Sequence, residues 1–155
     1  PKDPTLGERE FGLSSSVWVE RDDVRLPGTV EKGFKRLEVG ACVRLMNLAI
    51  VTVTGIDEVD GRITKVQATA TPDAKPRATI HALSREHARA VDVLVPSVMG
   101  PEDTPETCLA THSAMVEPGA LALRETFHAP RVGYAVVDAR DTNRLILTTG
   151  LKKGF

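Results

Sequence analysis

The sequence predicts an all-β fold, a barrel or sandwich of short strands. Three observations carry this. β-branched and aliphatic residues gather in short runs, turn signals separate those runs about every 8–12 residues, and only one segment has helical character. The chain has 155 residues, which makes it one domain or two small ones. Its apolar content of 41% supplies an ordinary core. A chain of this length buries roughly 70% of its unfolded surface and needs no staples.

Taken in order, Pro1 to Glu10 is polar and aperiodic, with two prolines and a glycine, and reads as a linker or cut end. The chain does not start with Met, which suggests a processed chain or an excised fragment. Val17-Trp18-Val19-Glu20 is the first β-prone run. Val43 to Thr54 is rich in β-branched residues, and Ile63 to Thr69 alternates two sets of side chains. Asp57-Glu58-Val59-Asp60-Gly61 lies between them. Asp-Gly accommodates positive φ, so this reads as a hairpin connection. Ala78 to Leu83 and Val91 to Val95 are two further strands. Ser84 to Ala90 is the one helical candidate, with Ser84 as N-cap. Pro96 to Pro105 holds three prolines and a glycine and is expected to carry the chain from one β unit to another. Tyr134 to Asp138 and Leu145 to Thr149 form the last pair, joined by the polar turn Arg140-Asp141-Thr142-Asn143.

Several function classes find no support. No apolar run approaches the ~20 residues of a membrane span, and the start lacks the pattern of a secretory signal. Cys42 and Cys108 are too few for a disulfide framework, which fits a reducing cytoplasm. No Gly-rich phosphate loop and no Gly-x-Ser-x-Gly elbow occurs. His81, His87, His112 and His128 make no His-x-x-x-His pair, and neither cysteine forms Cys-x-x-Cys, so the spacing indicates no metal site. Cys42, between Ala41 and Val43, reads as a small core residue. Pairing of Cys42 with a histidine as a nucleophile has no local signature behind it.

The net charge of −1 argues at first against a nucleic-acid binder. Its distribution says otherwise. Residues 30–50 carry 4 basic and 2 acidic side chains, and residues 127–155 carry 5 and 2. Residues 101–126, with 1 basic and 5 acidic, mask them. Lys32, Lys35, Arg36 and Arg44 form the first basic segment; Arg131, Arg140, Arg144, Lys152 and Lys153 form the second. Scattered surface charge is the plain reading. RNA contact is the sharper one: a guanidinium fork can pair with a base edge or stack on an unpaired base, while lysine supplies phosphate charge without sequence information.

An ordered set of motifs then resembles a known family. Lys2-Asp3-Pro4-Thr5-Leu6-Gly7-Glu8-Arg9, followed by Val17-Trp18-Val19-Glu20-Arg21-Asp22-Asp23, looks like the start of the anticodon-binding region of glutaminyl-tRNA synthetases. Further along the chain, Lys35-Arg36-Leu37, Val43-Arg44-Leu45-Met46-Asn47, Ile80-His81-Ala82-Leu83-Ser84, His87-Ala88, Glu117-Pro118, Arg131-Val132-Gly133-Tyr134 and Thr149-Gly150-Leu151-Lys152 resemble motifs of that family. The likeness spans essentially the whole chain.

The resemblance implies two small antiparallel β-barrels, related to a ribosomal 5S-RNA-binding barrel, with one short helix. Residues 1–13 would be a linker from a catalytic part, 35–95 the first barrel, and 14–34 plus 96–155 the second. It implies RNA reading by splayed single-stranded bases. Carried over by position, Lys35 and Arg36 match residues near the third anticodon base. Arg44 matches one of two arginines near the first. Arg131 matches an arginine at the middle-base pocket, and His128 stands where the family has a Gln. Met46 replaces the second first-base arginine, Gly33 a polar residue beside Lys35, and Ala82 a strand Trp.

The implied partners are tRNA and the catalytic domain of the same enzyme, with no membrane or DNA, in the cytoplasm. No catalytic residue, metal or cofactor is expected in this chain; ATP and Mg2+ belong to the parent enzyme. Its nearest rival is the same region of an archaeal or eukaryotic-type glutamyl-tRNA synthetase. A β-barrel scaffold without an RNA role and a small enzyme using Cys42 or His81 are the others. Trp18 and Tyr134 read as core residues rather than stacking platforms, and His81 as a structural histidine.

Overall fold

The computed structural model describes residues 12–26, 28, 33–99 and 106–150. These divide into two compact units, the described residues up to Arg85 and those from Glu86 onward. Lys32, Lys152, Lys153, most of the expected linker and most of the proline-rich loop lie outside the described residues.

In the first unit, β1 (Val17–Val19) leads to a 3-10 turn at Arg21–Asp23. β2 (Cys42–Leu45) and β3 (Ile50–Val59) come from the single apolar run expected over 43–54. The run breaks because Asn47 takes a φ of 60°, a left-handed conformation that Asn tolerates, and Leu45 N–H closes the turn on Ala49 O at 2.8 Å. β3 pairs antiparallel with β4 (Arg62–Ala70). Between them Asp60 (φ 50°) and Gly61 (φ 74°) are both left-handed, as the Asp-Gly signal predicts. β5 (Thr79–Ile80) lies parallel to β2, giving the sheet order β4-β3-β2-β5.

β6 (Ala82–Ser84) pairs with β1, Trp18 opposite Leu83. The first strand therefore lies with the middle of the chain, whereas the sequence reading groups it with the C-terminal third. The reason is packing: Val17 and Val19 cover the core built by Leu37, Val43, Val53 and Ile80, and Arg85 N–H extends the ladder to Ser16 O. Alternation along β2 buries Val43 and Leu45 and turns Arg44 outward, as the residue pattern requires.

In the second unit, β7 (Arg89–Met99) and β8 (Glu106–Val116) pair antiparallel along their full length. The proline-rich segment thus joins neighbours inside one unit instead of linking two units. Pro96 is tolerated because β7 meets its other neighbour only over Asp92–Leu94. A four-residue helix α1 (Pro118–Leu121) begins with proline at its first position, where the missing N–H costs nothing. β9 (Phe127–Ala129), β10 (Gly133–Asp138) and β11 (Asp141–Gly150) complete the sheet order β8-β7-β11-β10-β9, with β11 parallel to β7. Val91, Val93, Ala135, Val137 and Leu145 form the core of this unit.

The chain is all-β as expected, with two further corrections. Among the described residues the three sheets are open, with distinct edge strands, and do not close into barrels. The helix expected over 84–90 is a turn between β6 and β7. Seven residues cannot offset the cost of helix nucleation when the strands on both sides are held in sheets.

Candidate nucleic-acid interface

In the first unit, Lys35 is exposed and Arg36 half-exposed on the stretch that follows Phe34. Phe34 lies under the Arg25 guanidinium at 4.0 Å. A parallel bridge of Val24 with Leu37, with Leu37 N–H donating to Asp23 O at 2.8 Å, fixes this stretch against the 3-10 turn. The Arg36 guanidinium reaches back to that turn, with Nη1 2.9 Å from Asp23 Oδ1 and 3.3 Å from Asp22 O.

Arg77, unremarked in the sequence, joins this stretch to β2. Its backbone N–H donates to Cys42 O at 2.9 Å, and its Nη2 donates to Arg36 O at 2.8 Å and pairs with Glu38 Oε1 at 2.7 Å. Arg44, two residues from Cys42 and across from Thr79, is exposed on the outer face of the same sheet. Lys35, Arg36 and Arg44 thus belong to one unit, in which Arg77 links the Arg36 stretch to the start of β2. Met46 is also exposed, at the end of β2.

In the second unit, His128 and Tyr134 sit opposite each other on β9 and β10. Their rings are 5.2 Å apart and tilted by 47°. The turn between the strands carries Arg131 at φ 65°. A left-handed arginine costs about 1 kcal/mol or more and persists only where its surroundings over-determine it. Val132 N–H closes that turn on Ala129 O at 3.1 Å, and Gly133 follows at φ 146°. His128, Arg131 and Tyr134 are all exposed on this one hairpin. It combines a guanidinium fork with two rings, the chemistry that holds an unpaired base.

Tyr134 is 46% exposed and Trp18 43%, with Arg85 Cζ 5.1 Å above the Trp18 ring. Both were expected in the core. The strand of Tyr134 is six residues long and that of Trp18 three, and the neighbouring Val17, Val19, Ala135 and Val137 supply the inward faces. His81 lies 3.8 Å from Glu20 Oε1. Among the described residues no three His, Cys, Asp or Glu side chains gather in a way that could hold a metal ion, and no helix is long and apolar enough to cross a membrane.

Residues 1–71 match the family model described as the anticodon-binding domain of class I tRNA synthetases (E and Q). A glutamine–tRNA ligase of Ralstonia nicotianae is 38% identical over 104 residues, covering 60% of this chain and 18% of that protein. One from Bordetella avium is 32% identical over 167 residues, with 92% and 28% covered. One from Xanthomonas axonopodis pv. citri is 33% identical over 169 residues, with 91% and 28% covered. The chain therefore spans less than a third of the length of each of these relatives.

Proposed function

The chain belongs to the anticodon-binding domains of the class I tRNA synthetases for glutamate and glutamine, and from that premise we propose that it reads the anticodon of the glutamine tRNA. In this reading a catalytic domain elsewhere in the parent protein attaches glutamine to that tRNA with ATP and Mg2+. The relatives named above are all glutamine–tRNA ligases, which favours glutamine over glutamate.

The observation that carries the reading is the β9–β10 hairpin. It presents Arg131, His128 and Tyr134 together, exposed, on a turn whose left-handed arginine supports a role beyond folding. In our reading Arg131 and His128 meet the middle base by hydrogen bonds. Lys35 and Arg36 meet the third base and Arg44 the first, on the other unit. With Met46 beside Arg44 where a second arginine would stand, first-base recognition rests on a single guanidinium.

The test is binding of anticodon stem-loops that differ in one base. Arg131→Ala is expected to lose about 1–3 kcal/mol of discrimination at the middle base. Unchanged affinity and unchanged middle-base discrimination would refute the assignment. A scaffold without an RNA role predicts no binding in any variant.

A further inference from the structure

Arg36 differs from the other candidate cations in having a buried acid beneath it. Asp23 is 0% exposed and closes the 3-10 turn. A buried carboxylate is costly without a close positive partner. Arg36 Nη1 stands 2.9 Å from Asp23 Oδ1, an ion-pair distance without hydrogen-bond alignment, and donates to Asp22 O at 3.3 Å.

The backbone on both sides is fixed as well. Leu37, 2% exposed, donates to Asp23 O at 2.8 Å and accepts from Arg25 N–H at 2.9 Å. From the opposite side, Arg77 Nη2 donates to Arg36 O at 2.8 Å. The arginine is held at its carbonyl, at its following residue and at its guanidinium. A guanidinium carries five N–H donors in a rigid fork. The contacts to Asp22 and Asp23 use Nη1, and the side chain remains 42% exposed. The rest of the fork stays available at a fixed angle above the buried acid.

We propose that Asp23 is a positioning residue that orients the Arg36 guanidinium for a directional hydrogen bond to an anticodon base, so that Arg36 contributes base discrimination and Lys35 contributes charge. This rests on the anticodon-reading role above and adds a residue outside both basic segments.

The experiment uses the full-length protein and anticodon stem-loops with each base varied in turn, at three salt concentrations, with thermal melting of every variant. Asp23→Asn is expected to reduce third-base discrimination about 10-fold, with discrimination at the other two bases within about twofold of the unaltered protein. If Asp23→Asn does not fold, Arg36→Lys carries the test. It keeps a cation over the buried acid but removes the planar fork, and should lose third-base discrimination at a near-normal melting temperature. Lys35→Ala should flatten the salt dependence without changing base preference.

Third-base discrimination retained in Asp23→Asn or in Arg36→Lys, but lost in Arg36→Ala, overturns the positioning role and leaves the anticodon reading standing. Discrimination retained in Arg36→Ala overturns the third-base assignment itself. An equal loss at all three bases with a lowered melting temperature assigns Asp23 to folding alone and also overturns the proposal.

Discussion

The carbonyl oxygen of Thr149 fills the space where a side chain at Gly133 would begin. Gly133 also holds a φ of 146°. The oxygen is backbone on the facing strand β11 and cannot move without opening the pairing of Gly133 with Gly150 and Tyr134 with Thr149. Gly133→Ala is therefore expected to destabilise the second unit by about 3 kcal/mol or more, measured by urea unfolding. Gly61→Ala is the control. That glycine is also left-handed at φ 74°, but has nothing within 4 Å of its Cβ. Only the backbone cost of about 1–2 kcal/mol should remain there. Equal losses at the two sites would remove the argument from close approach.

Val43 and Val53 are 0% and 1% exposed at the centre of the first unit. Truncating either to Ala removes two carbons and leaves a cavity, so a loss of about 2–3 kcal/mol is expected. Val59, 58% exposed at the end of β3, should tolerate Ala within about 0.5 kcal/mol. Equilibrium unfolding of the three variants checks the ranking.

Tyr134 is expected to act as a stacking surface. Tyr134→Ala should weaken anticodon stem-loop binding by about 1–3 kcal/mol with little change in base preference, because every base offers a π-face. Tyr134→Phe keeps the ring and should bind nearly as the unaltered protein does. Titration of both variants against the same stem-loops distinguishes stacking from a hydroxyl contact.

Arg44 is exposed on β2 and should behave differently from Lys35. Loss of Lys35 should lower the slope of log affinity against log salt by about 0.7 with all sequences affected alike. Loss of Arg44 should chiefly relax preference at the first base. Affinities measured over a salt series separate the two behaviours.

Much of the strand inventory was legible in the residues. The β3–β4 hairpin announces itself through Asp60-Gly61, and the outward turn of Arg44 through its buried neighbours. β8 was missed because an edge strand with small and polar side chains such as Thr111, His112 and Ser113 has no apolar alternation to reveal it. The pairing of β1 with β6 joins residues more than sixty positions apart, which no local pattern encodes. The break at Asn47 was written in the sequence as a residue that accepts positive φ, but the apolar residues around it hid it. For the candidate site, the basic residues stood out through charge. Asp23 and Arg77 did not, because what marks them is which partner they reach. Trp18 and Tyr134 looked like core because large rings usually are, but short strands with inward valines left them outside.

The order β8-β7-β11-β10-β9 has a consequence for biosynthesis. The strand at the centre of that sheet, β11, is the last of the five to be made, and its parallel neighbour β7 begins some fifty residues earlier. Until β11 has emerged from the ribosome, β7 and β10 each lack the neighbour that joins the two halves of the sheet. This unit must therefore close late, when its last strand takes its place between β7 and β10. That interval is when the nascent chain is most open to mispairing and to chaperones.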